Sequence, residues 1–222
     1  VEIGIEGNHV VGSSIVGMYA SGGFFIEANN VFDKILNRDV VSWTALISGY
    51  IKHGHGNEAF SCLGKMRLEG LSPNNVTFIC ILKACGIMCD IVTGNEIHCE
   101  ITEKGLLRKD TCLGNALIDM YVTCGNLVDA HQVFENLVDR DVVSWNVLIA
   151  GYVNHGYHDE VFKCVNWMQH EGVFPSAVTL MYTVKTCTDV GVTWKGMQVH
   201  AEIENLNFLE IDISIGSSLI DM

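Results

Sequence analysis

The pattern nearest to a reactive centre is His98-Cys99-Glu100. A His-x-Glu triplet is one half of a zinc deaminase signature, in which the histidine holds the metal and the glutamate moves a proton. The other half, Pro-Cys-x-x-Cys, is absent; the nearest spacing is Cys85-x-x-x-Cys89. The triplet also returns as His200-Ala201-Glu202, 102 residues further on. A feature that recurs at a fixed offset belongs to a structural repeat rather than to one catalytic centre. His53-Gly54-His55 and the pair His155 and His158 offer imidazoles to a metal, but no second ligand pair accompanies either, so both read as polar turn residues. The chain carries no nucleophile elbow, P-loop or dinucleotide motif. No enzyme activity, cofactor, metal or small-molecule substrate is expected.

The elements that would position any functional side chain come from the repeat itself. Val-Val-Ser-Trp stands at 40–43 and again at 142–145. Gly12–Tyr19 returns as Gly114–Tyr121, and Gly216–Met222 starts it a third time. Every offset is 102, the mark of a repeat architecture. The unit divides into blocks 9–39, 40–74 and 75–110, then 111–141, 142–176 and 177–212, with partial blocks at 1–8 and 213–222. Trp43, Leu46, Ile47 and Tyr50 fall at i, i+3, i+4 and i+7, one face of a helix. Glycines 54 and 56 interrupt it, and a second periodic run through Ala59, Leu63 and Met66 stops at Gly70-Leu71-Ser72-Pro73. Each block therefore reads as helix–turn–helix. One such pair cannot bury its apolar face alone, so stacked pairs share a core. The expected fold is an all-α, right-handed α-solenoid superhelix, one array over 1–222, with Trp43 and Trp145 in equivalent environments.

The cycle of block lengths and the local strings resemble the plant-type subclass of the pentatricopeptide repeat family, in which long, short and standard motifs alternate. Leu117–Tyr121, Val133-Phe134 and Asp141–Asn146 are similar to its short and standard motifs; Lys83-Ala84-Cys85 and Glu96-Ile97-His98 are similar to its long motif. The tetratricopeptide family fits less well. It expects a glycine four residues after the tryptophan, where this chain has Ile47 and Ile149, and a constant block length.

The resemblance implies one RNA base per repeat, read by the fifth and last residues of each motif. Carried over, the pairs are Ser13 with Asp39, Thr44 with Asn74, Asn115 with Asp141, and Asn146 with Ser176. Short hydroxyl and amide groups suit a Watson–Crick edge, which an unstacked base exposes. The same residue types also favour helix caps, a purely structural alternative. The family's preferences would assign guanine, adenine, uracil and cytosine to the four pairs in chain order. The long blocks pair Ile79 with Asp110 and Met181 with Asp212, and an aliphatic fifth residue leaves them as weak readers or spacers. The second residue of each motif is expected to wedge against a base: Val10, Val41, Val76, Val143 and Val178, with Cys112 as a departure. Lys52 matches a lysine that points to phosphate; Lys83 and Lys185 are the other basic candidates, whereas Ser21, Thr123 and Asn154 are departures.

Charge opposes this reading. The chain has 13 Lys+Arg against 26 Asp+Glu, net −13, and most of the excess lies in 111–222. RNA binders ordinarily show a basic footprint that neutralises phosphates. Nine cysteines in such a helical chain form no disulfide framework. Cys62 with Cys164 and Cys85 with Cys187 recur at the repeat offset and read as small buried packing residues. No apolar run reaches the ~20 residues of a membrane span. Both ends fall in mid-repeat, as expected of a fragment. The leading expectation is sequence-selective binding of single-stranded RNA, of the organelle RNA-editing type. A mitochondrion or chloroplast is the implied location, and editing-complex proteins are possible partners. The alternative is a non-catalytic protein-interaction scaffold, or a degenerate array that no longer binds RNA.

Overall fold

The computed structural model describes residues 9–108, 110–192, 196, 197, 199 and 201. Among the described residues there are eleven helices and no strand. The chain forms two compact units, Val1–Cys124 and Gly125–Met222. The first holds α1 (His9–Ser21), α2 (Phe25–Asp33), α3 (Val40–Lys52), α4 (Gly56–Leu68), α5 (Asn75–Met88), α6 (Ile91–Glu103) and α7 (Thr111–Thr123). The second holds α8 (Leu127–Glu135), α9 (Val142–Asn154), α10 (His158–His170) and α11 (Ala177–Val190).

Two layers follow from the apolar periodicity. In the first unit α1 packs on α3, α3 on α5, and α5 on α7, while α2, α4 and α6 cover their hairpin partners. In the second, α9 packs on α11, with α8 and α10 against α9. Trp43, Leu46, Ile47 and Tyr50 are buried, as are Ala59, Leu63 and Met66 across the turn. Burying one such large side chain is worth about 1.5–3 kcal/mol. The approach of α1 to α3 is close enough that a Cβ on Gly49 would lie 2.8 Å from the backbone carbon of Ala20.

Block length has a simple structural basis. α2 and α8 run for 9 residues, whereas α4 and α10 run for 13. The shorter blocks have therefore lost about one turn from their second helix. His53 and His55 flank the turn between α3 and α4, and the His53 ring lies 3.1 Å from the Ser21 carbonyl, so these imidazoles are turn residues. The turn after α5 ends on Cys89 at φ 52°, while the same place after α11 is Gly191 at φ 71°. A side chain at positive φ is strained, and cysteine bears that strain where glycine does not.

Candidate nucleic-acid interface

The last residue of each described block caps the helix that follows. Asp39, Asn74, Asp110, Asp141 and Ser176 are the N-caps of α3, α5, α7, α9 and α11, and each side chain accepts the backbone N–H three residues on. These oxygens satisfy donors that a helix start otherwise leaves open. Capping is thus a fact of these positions, and any ligand would meet side chains already fixed in orientation. Asp212 lies outside the described residues.

In both 35-residue blocks the fifth and last residues come together through a threonine. Thr44 Oγ1 lies 2.7 Å from Thr77 Oγ1, which donates to Asn74 Oδ1 at 2.9 Å. The Val40 carbonyl, 2.6 Å from Thr44 Oγ1, competes with Thr77 for the one Thr44 proton. The amide nitrogen of Asn74 has no protein partner among the described residues, and this side chain is exposed. In the second copy, Asn146 Nδ2 donates directly to Ser176 Oγ at 3.0 Å, and Thr179 Oγ1 donates to Asn146 Oδ1 at 2.6 Å. Thr77 and Thr179 are fully buried and were not singled out from sequence. Their signal was available: both stand three residues after a capping residue, the spacing of a capping box.

In the other two pairs the fifth residue lies on one helix and the last residue caps a later one. Ser13 is buried on α1, while Asp39 caps α3. Asn115 is buried on α7 with Oδ1 unpartnered among the described residues. Its sequence partner Asp141 belongs to the second unit and caps α9. In the long blocks Ile79 and Met181 are half-buried, and Asp110 also accepts from Asn75 Nδ2 at 2.7 Å.

Val10, Val41, Val76, Val143 and Val178 are all exposed, between 44% and 61%, and Cys112 is exposed as well. Burial would stabilise each valine, so a row of them left open at one repeat position is a feature to explain. Val76 with Lys83, and Val178 with Lys185, are seven residues apart and share a helix face. Lys83 and Lys185 are exposed and make no hydrogen bond among the described residues. Lys83 has an acidic neighbour: burial lifts the Asp119 carboxyl above its usual range, and the Lys83 ammonium opposes that lift. Lys52 donates to the Ser21 carbonyl at the C-terminal end of α1, at 3.0 Å.

The remaining chemistry-bearing residues have structural roles. His98 Nδ1 is 2.8 Å from the Tyr121 hydroxyl, which donates to Asn95. His200 and Glu202 lie outside the described residues. Among the described residues no group of His, Cys, Asp and Glu could hold a metal ion. Cys62, Cys85, Cys164 and Cys187 are buried. Burial pushes the Cys62 thiol up to about 11 and that of Cys164 to about 12, so both are poor nucleophiles.

The sequence profile of the PPR repeat family matches residues 38–86 and 140–188, two spans themselves 102 apart. A PPR repeat profile matches 115–142, and together these cover more than half of the chain. The chain belongs to the pentatricopeptide repeat family. A mitochondrial pentatricopeptide repeat-containing protein of Arabidopsis thaliana is 36% identical over 222 residues, covering 100% of this chain and 21% of its own length. A chloroplastic one from the same plant is 34% identical over 212 residues, covering 96% of this chain and 34% of its own length. The chain thus spans about a fifth to a third of the length of these relatives. The maize pentatricopeptide repeat protein PPR10 matches with a TM-score of 0.69 at 19% identity, over 88% of this chain and 29% of that one. PPR10 in complex with an 18-nucleotide psaJ RNA element matches with a TM-score of 0.73 at 18% identity, over 92% and 32%. That likeness is one of fold, and it makes this pentatricopeptide repeat chain an all-α helical-repeat solenoid.

Proposed function

We propose that this chain is a segment of a repeat array that binds single-stranded RNA and selects bases one block at a time. The observation that carries the reading is the joined pair of polar residues at the same place in both 35-residue blocks, each beside an exposed valine. A base wedged on Val41 or Val143 would present its edge to Thr44 and Asn74, or to Asn146 and Ser176. Pre-bonded side chains lose less freedom on binding than mobile ones. The RNA-bound state of a protein with this fold, and the organelle names of its relatives, support RNA as the partner and a mitochondrion or chloroplast as the location. Within an organelle the fitting role is recognition of a C-to-U editing site, with the chemistry supplied by a separate domain or protein.

In chain order the preferred RNA is 5′-G-A-n-U-C-n-3′, with n at the long blocks. Fluorescence titration of this RNA and a scrambled one, across a salt series, tests the reading. Tighter binding of the matched RNA, weakening steeply with salt, is expected if Lys52, Lys83 and Lys185 meet phosphates. Equal affinity for both sequences, or no binding at low salt, would reject base selection. The net charge of −13 favours one other reading, a scaffold for a protein partner, and that second result would promote it.

A further inference from the structure

We infer that the first unit carries a docking slot for the indole side chain of a partner protein, lined by Trp43 and separate from the Thr44 and Asn74 pair, neither of which lines it. The second unit shows what such a slot holds. There Trp167 of α10 fills a space bounded by four side chains. Its ring centroid lies 5.0 Å from Trp145, 5.9 Å from Phe134 and 6.2 Å from His131, and the Arg140 guanidinium sits 5.3 Å from it. Shifted by the repeat offset, those four positions become Trp43, Phe32, Asn29 and Arg38. All four line a cleft of about 350 Å³ in the first unit. The residue matching Trp167 is Lys65, which is exposed and makes no hydrogen bond among the described residues. The first unit therefore has the walls of the aromatic site with the Lys65 side chain lining the cleft in place of the ring, and an entering indole must displace it to reach Trp43 and Phe32, each 3% exposed.

The lining fits an indole in chemistry as well as shape. Phe32 and Trp43 stand edge to face at 4.6 Å and 69°, the geometry in which a third ring packs in the second unit. Asn29 gives its amide nitrogen to the Phe25 carbonyl and the Tyr50 hydroxyl, and its Oδ1 has no protein partner among the described residues. An unpaired acceptor beside an aromatic wall suits the single N–H of an indole. Arg38 lies over the Phe32 ring at 4.8 Å, held there by Glu69 and Asp33, so the cationic wall is already in place. At the rim, Leu68 is 89% exposed, whereas its repeat equivalent is His170. A bare leucine beside the cleft gives apolar surface to the residues flanking an inserted tryptophan. The volume is at the small end for ligand sites, which suits one side chain rather than a cofactor.

The test uses the 222-residue chain with ¹⁵N-labelled tryptophan indoles, read by NMR. The probe is the peptide Gly-Gly-Trp-Gly-Gly, with Gly-Gly-Ala-Gly-Gly as control. The Trp43 indole signal is expected to shift saturably with the tryptophan peptide and not with the control. Lys65→Trp fills the slot from within and should weaken the peptide by about tenfold or more, and Leu68→Lys by a smaller factor. Lys65→Trp should also raise Tm, which shows that the variant is folded and the ring seated. No saturable shift, or the same affinity in Lys65→Trp, overturns the proposal. Free indole binding as tightly as the peptide would overturn the assignment to a partner's side chain and point to a small aromatic ligand.

Discussion

The two 35-residue blocks, 40–74 and 142–176, share a skeleton and finish it differently. Each places its tryptophan against a phenylalanine at 4.6 Å, and in each an arginine covers that phenylalanine. In the first block, Trp43 Nε1 donates to Glu69 at 2.9 Å, and Glu69 also holds Arg38. In the second, Glu171 pairs with Arg140, while Trp145 Nε1 is buried without a hydrogen-bond partner among the described residues. Trp167 stands against Trp145 instead, at 5.0 Å and 80°. The repeat has exchanged a hydrogen bond beside a cleft for packing against a third aromatic ring. The expected equivalence of the two tryptophans holds for the phenylalanine and arginine partners and fails at this third wall. The polar pairs differ in the same spirit. The Asn74 amide nitrogen has no protein partner among the described residues, whereas Asn146 gives its amide nitrogen to Ser176.

This contrast predicts unequal responses to equal mutations. Trp145→Ala should cost about 4 kcal/mol, and Trp43→Ala about 1 kcal/mol less, because the space left at Trp43 joins an existing cleft. Urea unfolding of both variants checks the order, and equal losses would mean that the cleft is closed in solution. Glu69→Ala should cost about 1.5 kcal/mol, since it leaves the Trp43 indole N–H without its acceptor and the Arg38 guanidinium with Asp33 as its one remaining ion-pair partner. Glu171→Ala should cost about 0.5 kcal/mol, because only a partly exposed ion pair is lost. A larger effect at Glu171 would show that Trp145 has found it as a partner. A further pair of effects concerns the turn after the long block's first helix. Cys89→Gly should stabilise by about 0.5 kcal/mol and Gly191→Cys should destabilise by about 1 kcal/mol, from relief or imposition of positive-φ strain. Thermal melts of the pair measure it.

Much of the fold was readable from spacing alone. The offset of 102, the two prolines and the period of 3.6 residues pointed to helical hairpins because local periodicity controls local structure. The loss of a turn from α2 and α8 was present only as a block length, since sequence does not say which helix shortens. At the site, the small polar pairs were visible as residue types, but Thr77 and Thr179 were missed. Their role depends on a side chain reaching across to the preceding block's first helix, a contact with no sequence signature beyond the capping spacing. Lys65 in place of Trp167 was likewise plain as a letter. Its consequence, a cleft, depends on four walls drawn from two helices and the loop that carries Arg38.

The central claim is that the fifth and last residues choose the base, and the most direct measurement exchanges one pair for the other. The double variant Asn146→Thr with Ser176→Asn recreates the Thr44 and Asn74 pair in the second unit. Thr179 already occupies the place of Thr77, and asparagine caps a helix as well as serine does, so the fold should be retained. Competition binding uses two RNAs that differ only at the base facing this block, cytosine in one and adenine in the other. The wild-type chain is predicted to prefer cytosine and the double variant adenine. A preference that stays with cytosine, or a variant that loses discrimination while keeping affinity and fold, would contradict base selection by these residues.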